Sequence, residues 1–201
     1  MRKRNIALIL AASMMATFAF GGTTAFAAEE GETDSVTVGI MADPENMGPW
    51  SGMSMGRIAV LFTTYEYLIT REDGVAYGVL AKSWDEVDPK TYDVELYDYI
   101  HDAEGNPLTA SDVVFSFESA IATKNYGKLS VIDSVTATDD YHVEFKFNKD
   151  LEIGEFENVM LECAIVTQAA YEASPDQMAT TPVGTSAYLV DSYVPGSEIV
   201  M

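Results

Sequence analysis

The sequence predicts a mixed α/β fold. Two regions, 83–98 and 131–147, alternate apolar and polar residues on either side of a short turn, which is typical of antiparallel hairpins with one buried face. Two other regions, beginning near residues 57 and 110, place apolar residues at helical spacing. A chain of 201 residues with both element types can bury a sizeable core.

The first 27 residues have the organisation of a secretory signal peptide. Three cations at positions 2–4 precede an apolar run, and small residues flank Phe26 at the expected cleavage site. The apolar run is shorter than the roughly 20 residues of a membrane span. We therefore expect an exported, soluble chain that begins near Ala28, in the periplasm or secreted, without a membrane anchor. An uncleaved N-terminal anchor is the alternative.

Charge and cysteine content exclude several classes of partner. The chain has 32 acidic and 11 basic residues, a formal net charge of −21, and residues 28–34 form an acidic leader. Nucleic acid and anionic lipid are poor partners for such a surface. The single cysteine, Cys163, lies in an apolar run far from the signal, so neither a disulfide framework nor a lipoprotein anchor is expected.

The first third of the chain predicts a strand, a loop and a helix. Residues 35–41 alternate, which predicts a half-buried strand, and the Gly-, Pro- and Met-rich residues 42–56 cannot form a continuous helix. Residues at helical spacing then predict one apolar stripe: Ile58, Leu61, Phe62, Tyr65, Leu68 and Ile69. We expect Asp73-Gly74 to end this helix.

The middle of the chain predicts two hairpins around a capped helix. Strands at 83–87 and 91–98 are joined by Asp88-Pro89-Lys90. Thr109, followed by Asp112, has the chemistry of a helix N-cap with an acidic first turn. The second hairpin turns at Asp139-Asp140. Weaker patterns predict a short helix within 151–160, a buried strand at 161–167, a short helix at 168–173 and extended chain at 187–194.

Four short motifs occur in a fixed order along the chain. They read YEYLITREDG from residue 65, LAKSWDEVDPKTYDVELY from residue 80, GNPLTASDVVFSFE from residue 105 and PVGTSAY from residue 182. Their order and gaps resemble the family 5 extracellular solute-binding proteins of ATP-binding cassette importers, and the resemblance covers about residues 36–201. It implies the N-terminal lobe of a two-lobed periplasmic binding protein, with residues 35–201 as an incomplete first lobe truncated before the second.

The resemblance also implies a function. A family member captures a peptide or peptide-like solute between its lobes and presents it to a membrane permease, which is driven by a separate ATPase. No enzyme activity and no cofactor are implied, and the sequence has no Gly-x-x-x-x-Gly-Lys phosphate loop of its own. We expect the 201 residues alone to bind ligand weakly or not at all, because they supply only one wall of the cleft.

Candidate ligand-binding residues follow from the resemblance. Counting back from the YEYL motif places Gly52, Met53, Ser54 and Met55 where peptide-binding relatives run an extended segment along the ligand backbone. Trp50 lies beside this segment, where its ring could stack on a ligand. The alternatives are a surface loop with incidental methionines, and a tryptophan that packs in the core. The Pro182 motif is interpreted as structural, with Gly184 allowing a turn that a side chain would block.

Two other functional classes stay open as minor alternatives. The acidic pairs Asp139-Asp140 and Glu155 with Glu157 permit a secreted glycoside hydrolase, which needs two carboxylates across a sugar bond. Some members of the resembled family bind nickel complexes, for which the chain offers His101 and His142. We expect no metal site, because no histidine or cysteine pair has ligand spacing.

Overall fold

The computed structural model of the chain describes residues 36–201, so the expected signal peptide at 1–27 and leader at 28–34 lie outside the described residues. Residues Gly39–Met201 form one compact unit. Its elements, in chain order, are α1 (Met55–Thr64), β1 (Ile69–Glu72), β2 (Val75–Gly78), β3 (Ala81–Asp88), β4 (Thr91–Leu96), α2 (Ala110–Thr123), a 3₁₀ turn (Gly127–Val131), β5 (Ile132–Ala137), β6 (His142–Phe147), α3 (Glu155–Met160), α4 (Gln168–Ala173), β7 (Ser192–Val194) and β8 (Glu198–Val200). Within residues 36–201, none of these helices has the length and apolarity needed to cross a membrane.

A four-stranded antiparallel sheet with strand order β3-β4-β6-β5 forms the centre of this unit. Both hairpins predicted from the alternation are present, with Asp85 opposite Asp93 in the first and Val135 opposite Phe145 in the second. One face of the sheet is buried and carries Tyr92, Val94, Leu96, Val143, Phe145 and Phe147. This face packs on α2, where Phe117 meets Phe145 edge to face with ring centroids 4.9 Å apart.

The start of α2 confirms the predicted N-cap. The backbone N–H and the hydroxyl of Thr109 both donate to Oδ2 of Asp112, at 2.8 Å each. The other carboxylate oxygen of Asp112 accepts from the backbone N–H of Gln168 at 2.8 Å. One acidic side chain therefore joins the first turns of α2 and α4, which holds the two helices together at one end.

The first predicted helix is shorter than its apolar pattern. α1 ends at Thr64, and Ile69 begins β1, so Asp73-Gly74 forms the turn of the β1–β2 hairpin instead of ending a helix. Both turn residues have positive φ, 50° and 81°. Ile58 and Phe62, expected on the buried stripe, are 38% and 54% exposed. Apolar residues after the end of α1, including Ile69 of β1, continue the helical spacing by coincidence. Spacing alone therefore cannot show where the helix ends and the strand begins.

Two predicted strands are absent from the described residues. Residues 36–41 have no strand, and Val36 and Val38 are exposed. Residues 161–167 are largely buried as expected, but their only ladder contact is a single bridge between Glu66 and Ile165. Alternation and burial indicate that a segment suits a strand, but the ladder also needs a neighbouring strand in register.

The β7–β8 hairpin builds a second, smaller cluster beside α1. Its buried members are Met47, Val60 and Val190, and the partly buried Tyr193 and Ile199 pack against them. The chain before α1 therefore runs between a helix and a hairpin. This arrangement fixes the path of the segment for which a ligand-binding role is expected.

Candidate functional site

The candidate segment, residues 52–55, leads directly into the first turn of α1. Ser54 is the N-cap of that helix, with an extended backbone (φ −143°, ψ 163°) and an Oγ that accepts from the backbone N–H of Arg57 at 3.3 Å. The extended path expected from the sequence is thus present at Ser54 and stops at Met55, where the helix begins.

Gly52 adopts a conformation that favours glycine. Its φ is +87°, and a Cβ at this position would lie 3.6 Å from the side chain of Asn125. The amide of Asn125 donates to the carbonyl of Trp50 at 3.0 Å, and the hydroxyl of Tyr126 donates to the carbonyl of Pro49 at 3.4 Å. Burial raises the pKa of the Tyr126 hydroxyl, which is protonated at neutral pH even at the ordinary value for tyrosine. Immediately before the segment, the chain is thus bonded to the residues that follow α2.

Trp50 lies in the core. Its side chain is only 5% exposed, and Nε1 donates to the carbonyl of Ala164 at 3.0 Å. The indole packs against Tyr171 and Phe115, with ring centroids 4.9 and 5.7 Å away. In this position the ring has no free face for a ligand, and the geometry favours the packing alternative over the expected stacking role.

Met53 and Met55 lie at the surface of the candidate segment. The side chain of Met53 is 50% exposed and that of Met55 is 62% exposed. On either side of Met53 the backbone is engaged, since Ser51 O accepts from Arg57 and Ser54 O accepts from the N–H of Ile58. The N–H and C=O of Met53 take part in none of the hydrogen bonds formed among residues 36–201.

Arg57 is a residue of this region for which the sequence gave no expectation. Its guanidinium donates to three backbone carbonyls of the preceding loop, those of Pro44, Asn46 and Ser51, each at 3.0 Å. A sequence signal does exist, because Arg57 is the only charged residue between Glu45 and Glu66. A partly buried cation with no acidic residue nearby in the sequence needs hydrogen-bond acceptors, and here backbone carbonyls supply them.

The PVGTSAY motif packs against the end of α1, as its structural interpretation predicted. A Cβ on Gly184 would lie 2.0 Å from the carbonyl oxygen of Thr64, so only glycine fits there. The requirement comes from this close approach of two backbones and not from the turn that the sequence suggested. Next to it, the hydroxyl of Thr185 donates to the carboxylate of Glu66 at 2.7 Å.

The carboxylates considered for hydrolysis have local structural partners. Asp139 accepts from the backbone N–H groups of Tyr141 and His142 at the hairpin turn, and the bond from Tyr141 is the main cause of its lowered pKa. Glu155 pairs with Lys149 at 2.6 Å, which lowers the pKa of that carboxyl. A general acid requires the opposite shift.

The histidines have similar local partners. His142 contacts Asp139 at 2.9 Å, which raises the pKa of the imidazole. His101 is exposed, with Nδ1 2.9 Å from the carbonyl of Tyr99. In the part of the chain that the structure describes, no cluster of three or more histidine, cysteine or acidic side chains has a geometry suited to a metal ion.

A surface depression lies elsewhere, at the edge of the central sheet. It has a volume of about 560 Å³ and is open to solvent; its walls are Lys82, Glu95, Leu96, Tyr97, Asp98, Asp139, Asp140, Tyr141 and His142. Residues 52–55 do not line it, and the exposure of Met53 and Met55 shows that the candidate segment lies at the surface. A ligand held there needs a second surface to cover it.

A sequence profile of the bacterial extracellular solute-binding proteins, family 5 (middle region), matches residues 76–201. The chain belongs to this family. The family and the mixed α/β fold predicted from the sequence are thereby confirmed, and the family is one of substrate-binding proteins. A search of curated protein sequences found no match.

Solved structures of family 5 proteins share this fold. CtaP, an ABC transporter substrate-binding protein from Listeria monocytogenes, is 29% identical with a TM-score of 0.67, over 79% of this chain and 34% of CtaP. The oligopeptide-binding protein AppA from Bacillus subtilis, solved with a nonapeptide, is 22% identical with a TM-score of 0.70, over 79% and 34%. NikA from Staphylococcus aureus, solved with Ni(L-His)2, is 26% identical with a TM-score of 0.63, over 79% and 32%. The chain thus spans about a third of the length of these relatives.

Proposed function

We propose that the chain is part of the substrate-binding component of an ATP-binding cassette importer that captures a peptide or peptide-like solute. The observation that carries this proposal is that the N–H and C=O of the half-exposed Met53 form no hydrogen bond among residues 36–201, while the chain on either side of it is hydrogen-bonded. A membrane permease would receive the ligand, and a separate ATPase would supply the energy. The protein itself performs no chemistry on its cargo.

The proposed binding mode is addition of an extended ligand to residues 52–55. An extended peptide presents alternating N–H and C=O groups, which can pair with those of Met53 whatever the ligand's side chains are. Each such bond contributes roughly 1 kcal/mol. The exposed thioethers of Met53 and Met55 add polarizable contacts that adapt to different side chains. Affinity with broad side-chain tolerance follows from this combination.

We place only one wall of the cleft on these residues. The opposite wall would belong to the two thirds of the relatives that the chain does not span. Ligand binding would then bring two lobes together over the solute. The 201 residues alone should bind peptide more weakly than about 1 μM, because their segment is an exposed edge.

Calorimetry with tri-, tetra- and penta-alanine tests the proposal on the protein as its gene encodes it. We expect saturable binding, weakened when single amides of the ligand are replaced by esters, since an ester lacks the N–H group. Ser54 is unsuitable for substitution because it caps α1. Met53→Ala should weaken binding severalfold through lost apolar contact, and Ile153→Ala, at an exposed site in the loop before α3, serves as the control.

The results against the proposal are equally specific. Absence of binding for every peptide would remove the peptide-capture function. An affinity that is the same for the amide and all ester analogues would show that backbone pairing does not hold the ligand. Equal effects of Met53→Ala and Ile153→Ala would place the cleft elsewhere.

Binding of a metal complex is the second candidate. It is favoured by the 26% identity to NikA, which was solved with Ni(L-His)2. The same titration with Ni²⁺ and L-histidine in place of peptide distinguishes the two, and we expect no saturable heat. Hydrolysis is the remote candidate, and cellotetraose incubated with the protein should stay intact.

Export completes the proposed function. We propose that residues 1–27 are removed during secretion and that the protein works in the periplasm or outside the cell. Intact-mass measurement of the protein recovered from the periplasmic fraction should give a chain that begins at Ala28. A retained N-terminus in the membrane fraction would contradict this.

A further inference from the structure

The loop before the candidate segment contains no helix or strand. Residues 42–54 are irregular, so their shape depends on individual contacts with their surroundings. One end is held by Asp43, whose carboxylate accepts from Tyr193 and from the backbone of Gly196. The other end is held by Trp50 through Nε1. Between these two anchors the loop is held from the side of α1.

Arg57 provides that middle contact. Its Nε is shared by the carbonyls of Pro44 and Asn46, and its Nη1 donates to Ser51, all at 3.0 Å. Pro44 O also accepts from Asn46 N, and Asn46 O from the hydroxyl of Ser51. The carbonyl of Ser51, by contrast, has Arg57 as its only donor among the described residues. This carbonyl immediately precedes Gly52, where the candidate segment begins.

The position of Arg57 is electrostatically unfavourable for the helix itself. It lies in the first turn of α1, where the helix dipole disfavours a cation. Within residues 36–201 it forms no ion pair with a carboxylate, although the chain has 32 acidic residues. The contacts that compensate for this placement are the three loop carbonyls.

We propose that Arg57 is a positioning residue for ligand binding: its planar guanidinium binds three loop carbonyls and thereby holds residues 52–55 in the shape that leaves the N–H and C=O of Met53 without a hydrogen-bond partner among residues 36–201. The inference rests on the proposed function for its ligand and deepens it. A guanidinium offers several donors in fixed directions, whereas an ammonium is a single point donor. Fork geometry, and not charge alone, is therefore the property required at this position. A loop held in its bound shape loses less entropy when it binds.

Three variants test this role. Arg57→Met keeps most of the side-chain length and removes every donor, and Arg57→Lys keeps the charge without the fork. Arg71→Met is the matched control, because Arg71 is the other arginine of the described chain and makes an exposed bond to Asn158 at 3.0 Å. Each protein is examined by hydrogen exchange of residues 44–54, by penta-alanine calorimetry and by thermal unfolding.

For Arg57→Met we expect the loop amides to exchange at least about tenfold faster than in the control. A tenfold change corresponds to a decrease of about 1.4 kcal/mol in the free energy of local opening. Penta-alanine affinity should fall by a similar factor of about ten. Arg57→Lys should lie between Arg57→Met and the wild type in both measurements. Because lysine at this position retains one donor and the charge, this variant keeps the test usable if Arg57→Met does not fold.

Three results would overturn the inference. Loop exchange in Arg57→Met equal to that in Arg71→Met would show that Arg57 does not hold the loop. Faster exchange with unchanged affinity would show that the held shape is irrelevant to the ligand. Full wild-type behaviour of Arg57→Lys would show that charge suffices without the fork. If the wild type binds no peptide, the proposed function and the ligand-presenting role both fail, whereas the exchange data still decide whether Arg57 holds the loop.

Discussion

Replacing Trp50 by phenylalanine separates a packing role from a ligand-stacking role. The substitution keeps an aromatic ring between Tyr171 and Phe115 but removes Nε1, so the buried carbonyl of Ala164 keeps only the weak thiol donor of Cys163, at 3.5 Å. Leaving a buried carbonyl with only a weak donor costs about 1–3 kcal/mol. The smaller ring adds roughly 1 kcal/mol for the space it leaves.

Together these effects predict a loss of about 2–4 kcal/mol in the free energy of unfolding. For a chain of 201 residues each kcal/mol lowers the melting temperature by roughly 2–4 °C, so a decrease of roughly 4–16 °C is expected for Trp50→Phe. Differential scanning calorimetry measures it directly. Penta-alanine affinity should change less than that of Met53→Ala, because the indole does not face the ligand.

The chain supplies its own control in Trp84. This residue is partly buried against the core, and its indole nitrogen takes part in no hydrogen bond among residues 36–201. Trp84→Phe should therefore cost less than about 1 kcal/mol. An unchanged melting temperature for Trp50→Phe, combined with weaker peptide binding, would refute the packing argument and restore the stacking role.

Three further outcomes follow from buried contacts. Gly184→Ala should destabilise the fold by about 1–3 kcal/mol or more in urea unfolding, because its Cβ would lie 2.0 Å from Thr64 O, whereas Gly127→Ala, with open space around it, should be neutral. Burial raises the pKa of Asp102, but its hydrogen bonds outweigh burial and hold that pKa below 3.8. The ionised Asp102 carboxylate therefore contributes to the stability of the fold above its ordinary pKa, and this stability is lost as the pH falls through its pKa in the folded protein. The difference in melting temperature between the wild type and Asp102→Asn should accordingly shrink below about pH 4. Burial raises the pKa of the Cys163 thiol, which should react with a thiol reagent only after unfolding.

Local chemistry that is complete within a few residues was predictable from the sequence. Thr109 and Asp112 are three positions apart, so the cap they form needs nothing from the rest of the chain. The two hairpins are similar, since each short turn brings its own partner strand into register. Cys163 was predicted to be buried because its neighbours are apolar, and it is.

Features that depend on distant partners were not predictable in this way. The end of α1 at Thr64 coincides with the close approach of Gly184, which is 120 positions further along the chain. Trp50 is buried because Ala164 and Tyr171 surround it, and its own neighbours give no sign of that. In each case the deciding contact spans more than a hundred residues, beyond any periodic pattern.

Residues 52–55 suit the proposed ligand because the preceding loop is held by hydrogen bonds to the protein, while Met53 and Met55 are exposed to solvent. Binding through backbone groups contributes only about 1 kcal/mol per hydrogen bond. The entropy lost on ordering a mobile loop would cancel this gain. Asp43, Trp50 and Arg57 already fix the chain on the protein side, so the loop's entropy is lost during folding and not during binding. A binder that recognises backbone and tolerates different side chains requires such a segment, because preorganisation replaces the affinity that specific side-chain contacts would otherwise supply.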